Sequence, residues 1–172
     1  MKKITENLYQ GSVDDITNSN LPENITAIVS VGHSCIVDVD EHGKKIIPTY
    51  HIPLVEFIGN PNKHPRTLVR VSSDNEIIAV VELMVKLIEK GHVVFCHCDA
   101  GICRSVGICA AYLIRADMYG TLKTAHERVS GHKESFRLAN VFNQALDKIY
   151  GRLSNKYWVG MDQYVDMLNG VV

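Results

Sequence analysis

The segment from Val93 to Gly120 constrains the fold most, because it joins a short apolar run to a loop and that loop to a long apolar stretch. The run Val93–Cys96 has the length and branching of a buried central strand. The stretch Ser105–Tyr119 is apolar and helix-forming, and Gly120 predicts its end. Strands that alternate with helices in this way are typical of α/β folds. We therefore predict an α/β layered sheet with a strand–loop–helix unit at its centre.

Further strands are predicted before residue 60. Leu8–Gly11 is predicted as a short edge strand, and Ile25–Val31 is β-branched and apolar, as expected of a buried strand. Another strand is predicted within Ile46–Val55, where Pro48 and Pro53 limit it to a few residues or to the edge of the sheet. These runs supply the neighbours that a central strand needs.

Helix signals dominate the rest of the chain. Ser73 and Glu76 form an S-x-x-E capping box and Gly91 supplies a stop, so a helix is predicted from about Asp74 to Lys90. Three more helices are predicted, from a cap at Thr121 to about Val129 before Gly131, over Phe136–Tyr150, and around Asn155–Leu168. We expect a single domain over residues 1–172 with a helix-rich C-terminal half, to which residues from about 151 onward add one helix.

The composition is that of a globular protein and selects no class of partner. With 172 residues the chain fits one domain, and its formal net charge is −1. Residues 57–73 contain no acidic residue but include Lys63, Arg66 and Arg70, so this stretch either attracts an anionic substrate or is a solvated loop. The polar N-terminal residues and the lack of an apolar run of bilayer length predict a cytoplasmic protein.

The loop from Cys98 to Arg104 carries the chemistry. Backbone N–H groups converge in a loop between a strand and a helix, and the helix N-terminus adds positive potential, so such a loop is an anion site. Gly101 allows the tight curvature that a phosphate requires, and Arg104 supplies a planar fork for two phosphate oxygens. The same positive field favours the thiolate form of Cys98. An attacking anion and a clamp are the two parts that phosphoryl transfer onto sulfur needs.

The pattern His-Cys-x5-Arg-Ser at residues 97–105 resembles the signature of the protein tyrosine phosphatase superfamily. The chain is similar to the dual-specificity branch of that family, whose opening pattern matches Ile4-x3-Leu8-Tyr9-x-Gly11-Ser12. Further matches follow at Ile25–Val31, Ala111–Ile114 and Phe142-x3-Leu146, so the resemblance covers roughly residues 4 to 150. It implies a central, mostly parallel sheet flanked by helices, and a phosphatase that uses no metal or cofactor.

The resemblance also implies roles for residues of the loop. Cys98 would form a thiophosphate intermediate, Arg104 would bind the substrate and the transition state, Ser105 would assist breakdown of the intermediate, and His97 would position the cysteine. The remaining loop residues would donate backbone N–H groups to phosphate, namely Asp99, Ala100, Gly101, Ile102 and Cys103.

The general acid departs from the family pattern. Departure of an alkoxide or phenolate needs a proton donor, and the resemblance implies an Asp after an Ile-Pro strand. Here Ile52-Pro53-Leu54-Val55 is followed by Glu56, which lies 42 residues before Cys98 (98 − 56). The nearest preceding Asp is Asp74, which lies 24 residues before Cys98 (98 − 74). Glu56 has the expected place and Asp74 the expected residue type. We favour Asp74, because it can lie on a mobile lid, and keep Glu56 as the other candidate.

Three of the five cysteines, Cys96, Cys98 and Cys103, lie within eight residues, which suits reactive thiols better than structural disulfides. The dual-specificity branch usually carries Ser where this chain has Cys103. We hypothesise that mild oxidation joins Cys98 to Cys103 and protects the nucleophile. Cys96 is an alternative partner that strand alternation is expected to disfavour.

The predicted function is hydrolysis of phosphotyrosine, extending to phosphoserine and phosphothreonine, on a phosphorylated protein. A phosphoinositide or RNA 5′-phosphate is the alternative substrate: the basic stretch favours it, whereas the charge of Asp99 opposes highly anionic ligands. A phosphate-binding module that has lost catalysis would explain the unmatched acid, but it has no need of the Cys98 thiol. We expect no nucleic-acid or membrane partner, and the sequence leaves the oligomeric state open.

Overall fold

The computed structural model describes residues 1–17, 21–34, 47–55, 72–133 and 141–151. Their elements, in chain order, are β1 (Lys2–Thr5), β2 (Leu8–Ser12), α1 (Asp14–Thr17), β3 (Ala27–Ser30), β4 (Thr49–His51), α2 (Asp74–Glu89), β5 (Val94–Cys98), α3 (Arg104–Arg115), α4 (Leu122–Ser130) and α5 (Val141–Tyr150). None of the helices in these ranges is long and apolar enough to cross a membrane.

Four of the five strands are parallel, and β5 lies at the centre of the sheet. The order is β1-β2-β5-β3-β4, and only β1 is antiparallel to its neighbour. The predicted α/β class, with a mostly parallel sheet flanked by helices, is confirmed. In register, Ser12 lies beside Cys98 and Ser30 lies beside His97. The carboxyl ends of β2 and β3 therefore meet the end of β5, which is where ligands bind in open α/β sheets.

The predicted strands are present, with two corrections. The Leu8–Gly11 strand lies inside the sheet, so its prediction as an edge strand was wrong: the unpredicted strand β1 pairs with its outer side. The central strand extends beyond Cys96 to Cys98, because pairing with β2 continues to the end of that strand. β4 has three residues and lies at the edge, as Pro48 and Pro53 predicted.

Local capping sets the ends of α2 and α4 as predicted. The Glu76 N–H donates to Ser73 Oγ at 3.3 Å, and the Ser73 N–H donates to the Glu76 carboxylate at 2.7 Å, which completes the capping box. Thr121 caps α4, and Gly131 ends that helix with a φ of +79°. Because Gly91 also has a positive φ, of +87°, both glycines occupy the conformation that favours this residue.

α3 ends at Arg115 rather than at Tyr119. Asp117 adopts a left-handed φ of 55°, and its N–H donates to the Ile114 carbonyl at 3.0 Å. The N–H of the next residue donates to the Leu113 carbonyl at 2.9 Å. These two bonds form a Schellman-type stop, which usually carries glycine. The sequence predicts Gly120 as the stop because Asp117 gives no such signal.

α5 begins at Val141, within the predicted Phe136–Tyr150 segment, and buries Phe142, Leu146 and Tyr150. Four other predictions lie outside the described residues: the first part of that segment, the helix around Asn155–Leu168, Glu56, and the basic stretch that contains Lys63, Arg66 and Arg70.

Cys96 and Cys98 face the same side of the sheet. Both are buried in the main core together with Cys109 of α3, whereas Phe95 belongs to a second cluster. Burial, and after it the neighbouring Cys96 side chain, raise the pKa of the Cys109 thiol. Alternation separates neighbouring residues, not residues two positions apart. The expectation that it disfavours Cys96 as a partner of Cys98 was therefore wrong.

Candidate active site

The loop of residues 99–103 connects the carboxyl end of β5 to the N-terminus of α3. Cys98 is the last residue of β5 and Arg104 is the first residue of α3. Gly101 has a φ of +69°, and a Cβ there would lie 2.8 Å from the carbonyl carbon of Gly11. Only glycine permits this close packing of the loop against β2. The peptide dipoles of α3 add positive potential, so the loop has the form of an anion site.

Three backbone N–H groups in this loop are open to an external acceptor. The N–H groups of Ala100, Gly101 and Ile102 donate to no backbone acceptor within the described part of the chain. Ala100 and Ile102 are also exposed, and Ile102 is 74% exposed. Successive unpaired N–H groups in a turn form a concave site that binds anions. The loop can therefore receive the oxygens of a phosphate.

The sulfur of Cys98 lies beside a hydroxyl. Its Sγ is 3.2 Å from the Oγ of Ser105, and both residues are buried. Ser105 Oγ also lies 3.3 Å from the Gly11 carbonyl and accepts a hydrogen bond from Gln10 Nε2 at 2.9 Å. A hydroxyl at this distance can donate its hydrogen to a thiolate.

Arg104 is held from two directions beneath the loop. Its Nη1 donates to the Leu54 carbonyl at 3.2 Å, and its Nη2 donates to the Asp99 carboxylate at 2.7 Å. The residue is 6% exposed. A buried arginine fixed by a carbonyl and a carboxylate loses little further side-chain entropy when it binds a ligand.

Asp99 connects the loop to the end of β3. Its carboxylate accepts from the backbone N–H groups of His33 (3.2 Å) and Ser34 (3.0 Å), in addition to Arg104. Although burial opposes ionisation, the bonds from Ser34, Arg104 and His33 hold the pKa of the Asp99 carboxyl well below its usual range. A Cβ on Gly32 would lie 2.5 Å from this carboxylate, so glycine is needed there. The negative charge of Asp99 is thus compensated by its own partners.

His97 lies on the other face of β5 from the Cys98 sulfur. Its ring stacks on Phe95 with centroids 5.6 Å apart, and its Nδ1 lies 3.4 Å from the Cys98 carbonyl. Since a carbonyl only accepts, Nδ1 carries the hydrogen. Burial lowers the pKa of His97, against the opposing effects of that hydrogen bond and of Asp99. His97 therefore contacts the backbone of Cys98. Separately, the described ranges contain no group of three His, Cys, Asp or Glu side chains that could hold a metal ion.

The two candidate acids differ in what the structure shows. Asp74 is the first residue of α2, and its exposed carboxylate pairs with Lys148 of α5. This contact directs the Asp74 side chain towards α5. Glu56 lies outside the described residues.

The chain on both sides of residues 56–71 is tied together near Arg104. The Val55 N–H donates to Ser72 Oγ at 2.8 Å, and the Ser72 N–H donates to the Val55 carbonyl at 3.1 Å. The preceding residue, Leu54, supplies the carbonyl that binds Arg104. Val55, the last described residue before Glu56 in the sequence, therefore directly follows the residue that binds the guanidinium.

Two features of the site were missed from the sequence. Gln10 is 5% exposed and contacts the loop, although it was treated as an unassigned position between Tyr9 and Gly11. A polar side chain at a buried strand position is a signal that could have identified it. The Leu54 carbonyl gives no sequence signal, because any residue carries one. Cys103, which precedes α3, is half-buried, and its proposed disulfide with Cys98 stays a prediction.

Comparison with known proteins agrees with this geometry. The family described as "Dual specificity phosphatase, catalytic domain" matches residues 8–150. No curated protein sequence matches the chain.

Solved phosphatase structures share the fold. A tyrosine phosphatase, OH1 from the Orf virus, aligns with a TM-score of 0.62 and 19% identity, over 88% of this chain and 86% of its own. DUSP15 aligns with a TM-score of 0.60 and 19% identity, over 100% and 96% of the two chains. A human tyrosine phosphatase-like serine/threonine/tyrosine-interacting protein aligns with a TM-score of 0.61 and 18% identity, over 86% of this chain and 93% of its own. The family match spans the strand, the loop and the helix that place Cys98 beside Ser105, with Arg104 at the other end of the loop: the chain belongs to the dual-specificity phosphatase catalytic domain family and is a cysteine-type protein phosphatase.

Proposed function

We propose that this phosphatase hydrolyses phosphotyrosine, and also phosphoserine and phosphothreonine, in proteins through a cysteinyl-phosphate intermediate. The observation that carries the proposal is the loop itself. Cys98 and Arg104 stand at its two ends, and the Cys98 sulfur lies 3.2 Å from Ser105 Oγ. Between them are three N–H groups that donate to no backbone acceptor among the residues that the structure describes. Nucleophile, clamp and oxygen donors therefore belong to a single cradle of the size of a phosphate.

In the first step the Cys98 thiolate attacks phosphorus. A bond forms between sulfur and phosphorus, and the bond from phosphorus to the ester oxygen breaks. The loop N–H groups and Arg104 bind the equatorial oxygens, where charge is spread in the transition state. The departing oxygen takes a proton from a general acid and leaves as a tyrosine, serine or threonine hydroxyl.

In the second step water attacks the phosphocysteine, and one of its protons passes to the group that acted as the general acid in the first step. A new oxygen–phosphorus bond forms, the sulfur–phosphorus bond breaks, and its electron pair returns to Cys98. The Ser105 hydroxyl, 3.2 Å away, can then donate a hydrogen bond to the thiolate that leaves. The two steps regenerate the free enzyme and release inorganic phosphate.

Glu56 is the stronger candidate for the general acid once the contacts are considered. The Asp74 carboxylate pairs with Lys148, whereas the chain enters Glu56 from beside Arg104. Glu56→Gln is expected to lower kcat on phenyl phosphate about a hundredfold, since this leaving group needs a proton. Turnover of p-nitrophenyl phosphate should change far less, because its phenolate is a good leaving group. Steady-state kinetics on both esters measure the difference.

Asp74→Asn is the matched comparison for Glu56→Gln. The Asp74–Lys148 pair is exposed, so its loss should change kcat on phenyl phosphate less than threefold and stability by under about 1 kcal/mol. A large loss in Asp74→Asn with a normal Glu56→Gln would return the role to Asp74. Equal rates in both variants and the parent protein would remove both residues from the mechanism.

Substrate class follows from the charge around the loop. Asp99 places a negative charge beside the cradle, but its bonds to Arg104, His33 and Ser34 compensate that charge. Because Asp99 pairs with Arg104, the loop side chains supply no net positive charge, and the cradle favours a phosphate monoester over a ligand of higher charge, such as a phosphoinositide or an RNA 5′-triphosphate. One structural neighbour is described as a tyrosine phosphatase with triple substrate specificity, which makes direct comparison of these substrates worthwhile.

A substrate panel tests the proposal. Purified protein is given phosphotyrosine and phosphothreonine peptides, a phosphoinositide and an RNA 5′-triphosphate, and phosphate release is measured for each. We expect the highest kcat/KM on the phosphotyrosine peptide, and acid quenching with ³²P-labelled peptide should trap label on Cys98. Faster release from the lipid or the RNA would assign a non-protein substrate. Binding without release from any of them would favour a binding module.

A further inference from the structure

Gln10 is a buried polar residue whose side-chain hydrogen bonds within the described ranges all go to the catalytic loop and its support. It lies on β2, opposite Cys96 in the sheet, and is 5% exposed. Its Nε2 lies 2.8 Å from the Gly101 carbonyl, 2.9 Å from Ser105 Oγ and 3.3 Å from the Gly11 carbonyl. Buried amides are normally satisfied wherever partners exist; here every partner lies within the site.

The orientation of the Gln10 amide follows from these partners. Two of the three, the Gly101 and Gly11 carbonyls, can only accept hydrogen bonds. The NH2 group must therefore face them, since the opposite orientation would set the amide oxygen against two carbonyl oxygens. The shortest contacts, to Gly101 and Ser105, use the two amide hydrogens.

The direction of the Ser105 hydroxyl hydrogen follows in turn. Because Gln10 donates to Ser105 Oγ, the single hydroxyl hydrogen must go elsewhere. The other atoms in reach are Cys98 Sγ at 3.2 Å and the Gly11 carbonyl at 3.3 Å. When Cys98 is a thiolate its charge attracts the hydrogen, because bonds to ionised acceptors are the stronger ones. Gln10 thus sets Ser105 as a donor to the sulfur.

The contact with Gly101 orients a phosphate donor. In a trans peptide the C=O and the N–H point in opposite directions. The Gly101 carbonyl points towards Gln10 in the core, so the N–H of the same peptide, which belongs to Ile102, points away from the core. That N–H is one of the three open donors of the loop.

We propose that Gln10 is a positioning residue for phosphoryl transfer: it holds Ser105 as the hydrogen-bond donor to Cys98 and turns the Ile102 N–H towards the phosphate. This assignment rests on the proposed function and adds to it a residue that lies outside the loop. Gln10 touches no reacting atom, and its effect reaches the sulfur through Ser105 and the phosphate through the Gly101–Ile102 peptide.

Gln10→Met tests the proposal, because methionine matches the length of glutamine but donates no hydrogen bond. With p-nitrophenyl phosphate in stopped flow, we expect a burst of p-nitrophenol followed by a steady rate about tenfold below that of the parent protein. Rates are divided by the burst amplitude, so a smaller folded fraction cannot imitate the effect. Tyr9→Phe, on the same strand and opposite face, should match the parent. A Gln10→Met kcat within twofold of the parent, per active site, would overturn the proposal.

A double-mutant cycle with Ser105→Ala separates positioning from general weakening of the loop. If Gln10 assists breakdown of the phosphocysteine through Ser105, the double variant should break the intermediate down no more slowly than Ser105→Ala alone. Losses that multiply would show that Gln10 acts independently of Ser105 and would reject the link. Gln10→Leu serves as a second apolar replacement and should give the same pattern.

Alkylation keeps this test distinct from the test of the phosphatase reaction. Iodoacetamide reacts with the Cys98 thiolate whether or not a phosphate ester is turned over. We expect Gln10→Met to slow alkylation of Cys98 several-fold at neutral pH, because the Ser105 hydrogen bond to the thiolate is no longer enforced. A parent protein without phosphatase activity would contradict the proposed function alone. Alkylation at the parent rate would contradict the role of Gln10 alone.

Discussion

Replacing Cys98 with serine is expected to lower kcat on p-nitrophenyl phosphate by at least about ten-thousandfold, the scale of loss seen when an enzyme loses its nucleophile. A serine hydroxyl at this position stays protonated near neutral pH. Its neighbour would be the Ser105 hydroxyl, which is too weak a base to activate it, and the described residues place no stronger base there. The remaining loop should still bind phosphate. Turnover assays together with the Kd for a phosphotyrosine peptide measure the two effects separately.

Cys109→Ala is the matched control for Cys98→Ser. Cys109 is another buried cysteine on the same side of the sheet, and it contacts Cys96 rather than the loop. Its removal should lower stability by about 1 kcal/mol and leave kcat within a few-fold of the parent value. Should Cys98→Ser keep measurable burst kinetics, or should Cys109→Ala lose activity as severely, Cys98 would not be the nucleophile.

The parts of the molecule that the sequence predicted are those determined by local signals. The capping box at Ser73, the stops at Gly91 and Gly131, and the strand–loop–helix unit around Cys98 all involve residues close together in the chain. Local hydrogen bonds and turns depend on only a few neighbouring residues, so their patterns can be recognised without knowledge of the fold.

The parts that escaped prediction depend on residues far apart in sequence. Arg104 is held by the Leu54 carbonyl, and Gln10 reaches Ser105 across 95 positions. The sequence around Gln10 and Leu54 does not identify their partners, because these contacts arise only when β2 and the segment after β4 are placed beside β5. The interior position of the Leu8–Gly11 strand escaped for a different reason: β1, which pairs with its outer side, was not predicted.

The general acid illustrates the same limit in a different way. The sequence offered two carboxyls, and spacing alone could not choose between the place of Glu56 and the residue type of Asp74. Val55, which precedes Glu56, and Ser72, which precedes Asp74 by two residues, are hydrogen-bonded to each other. Both therefore lie near the Leu54 carbonyl that binds Arg104. The choice then depends on the direction of each side chain, and for Asp74 the contact with Lys148 supplies that direction.

Arg104→Lys is expected to lower kcat/KM on a phosphotyrosine peptide about a thousandfold, a loss typical of removing an arginine that stabilises phosphoryl transfer. Lysine keeps the charge, but its ammonium is a compact point charge that cannot offer a planar fork to two phosphate oxygens. It also cannot donate to the Leu54 carbonyl and the Asp99 carboxylate in the way the guanidinium does. We therefore expect a fall in kcat as well as a rise in KM, with Cys98 still alkylated by iodoacetamide.

Arg115→Lys, at the other end of α3, controls for the loss of any ion-paired arginine from this helix. The Arg115 Nε pairs with the Glu82 carboxylate at 2.7 Å, much as Arg104 pairs with Asp99. Its replacement should lower the free energy of unfolding by about 1 to 2 kcal/mol, as expected for a hydrogen bond to a charged group, and leave kcat/KM within about threefold. An Arg104→Lys variant that retains a tenth or more of the parent kcat/KM would mean that charge alone suffices. The planar fork, and with it the bidentate grip on phosphate, would then have no part in the mechanism.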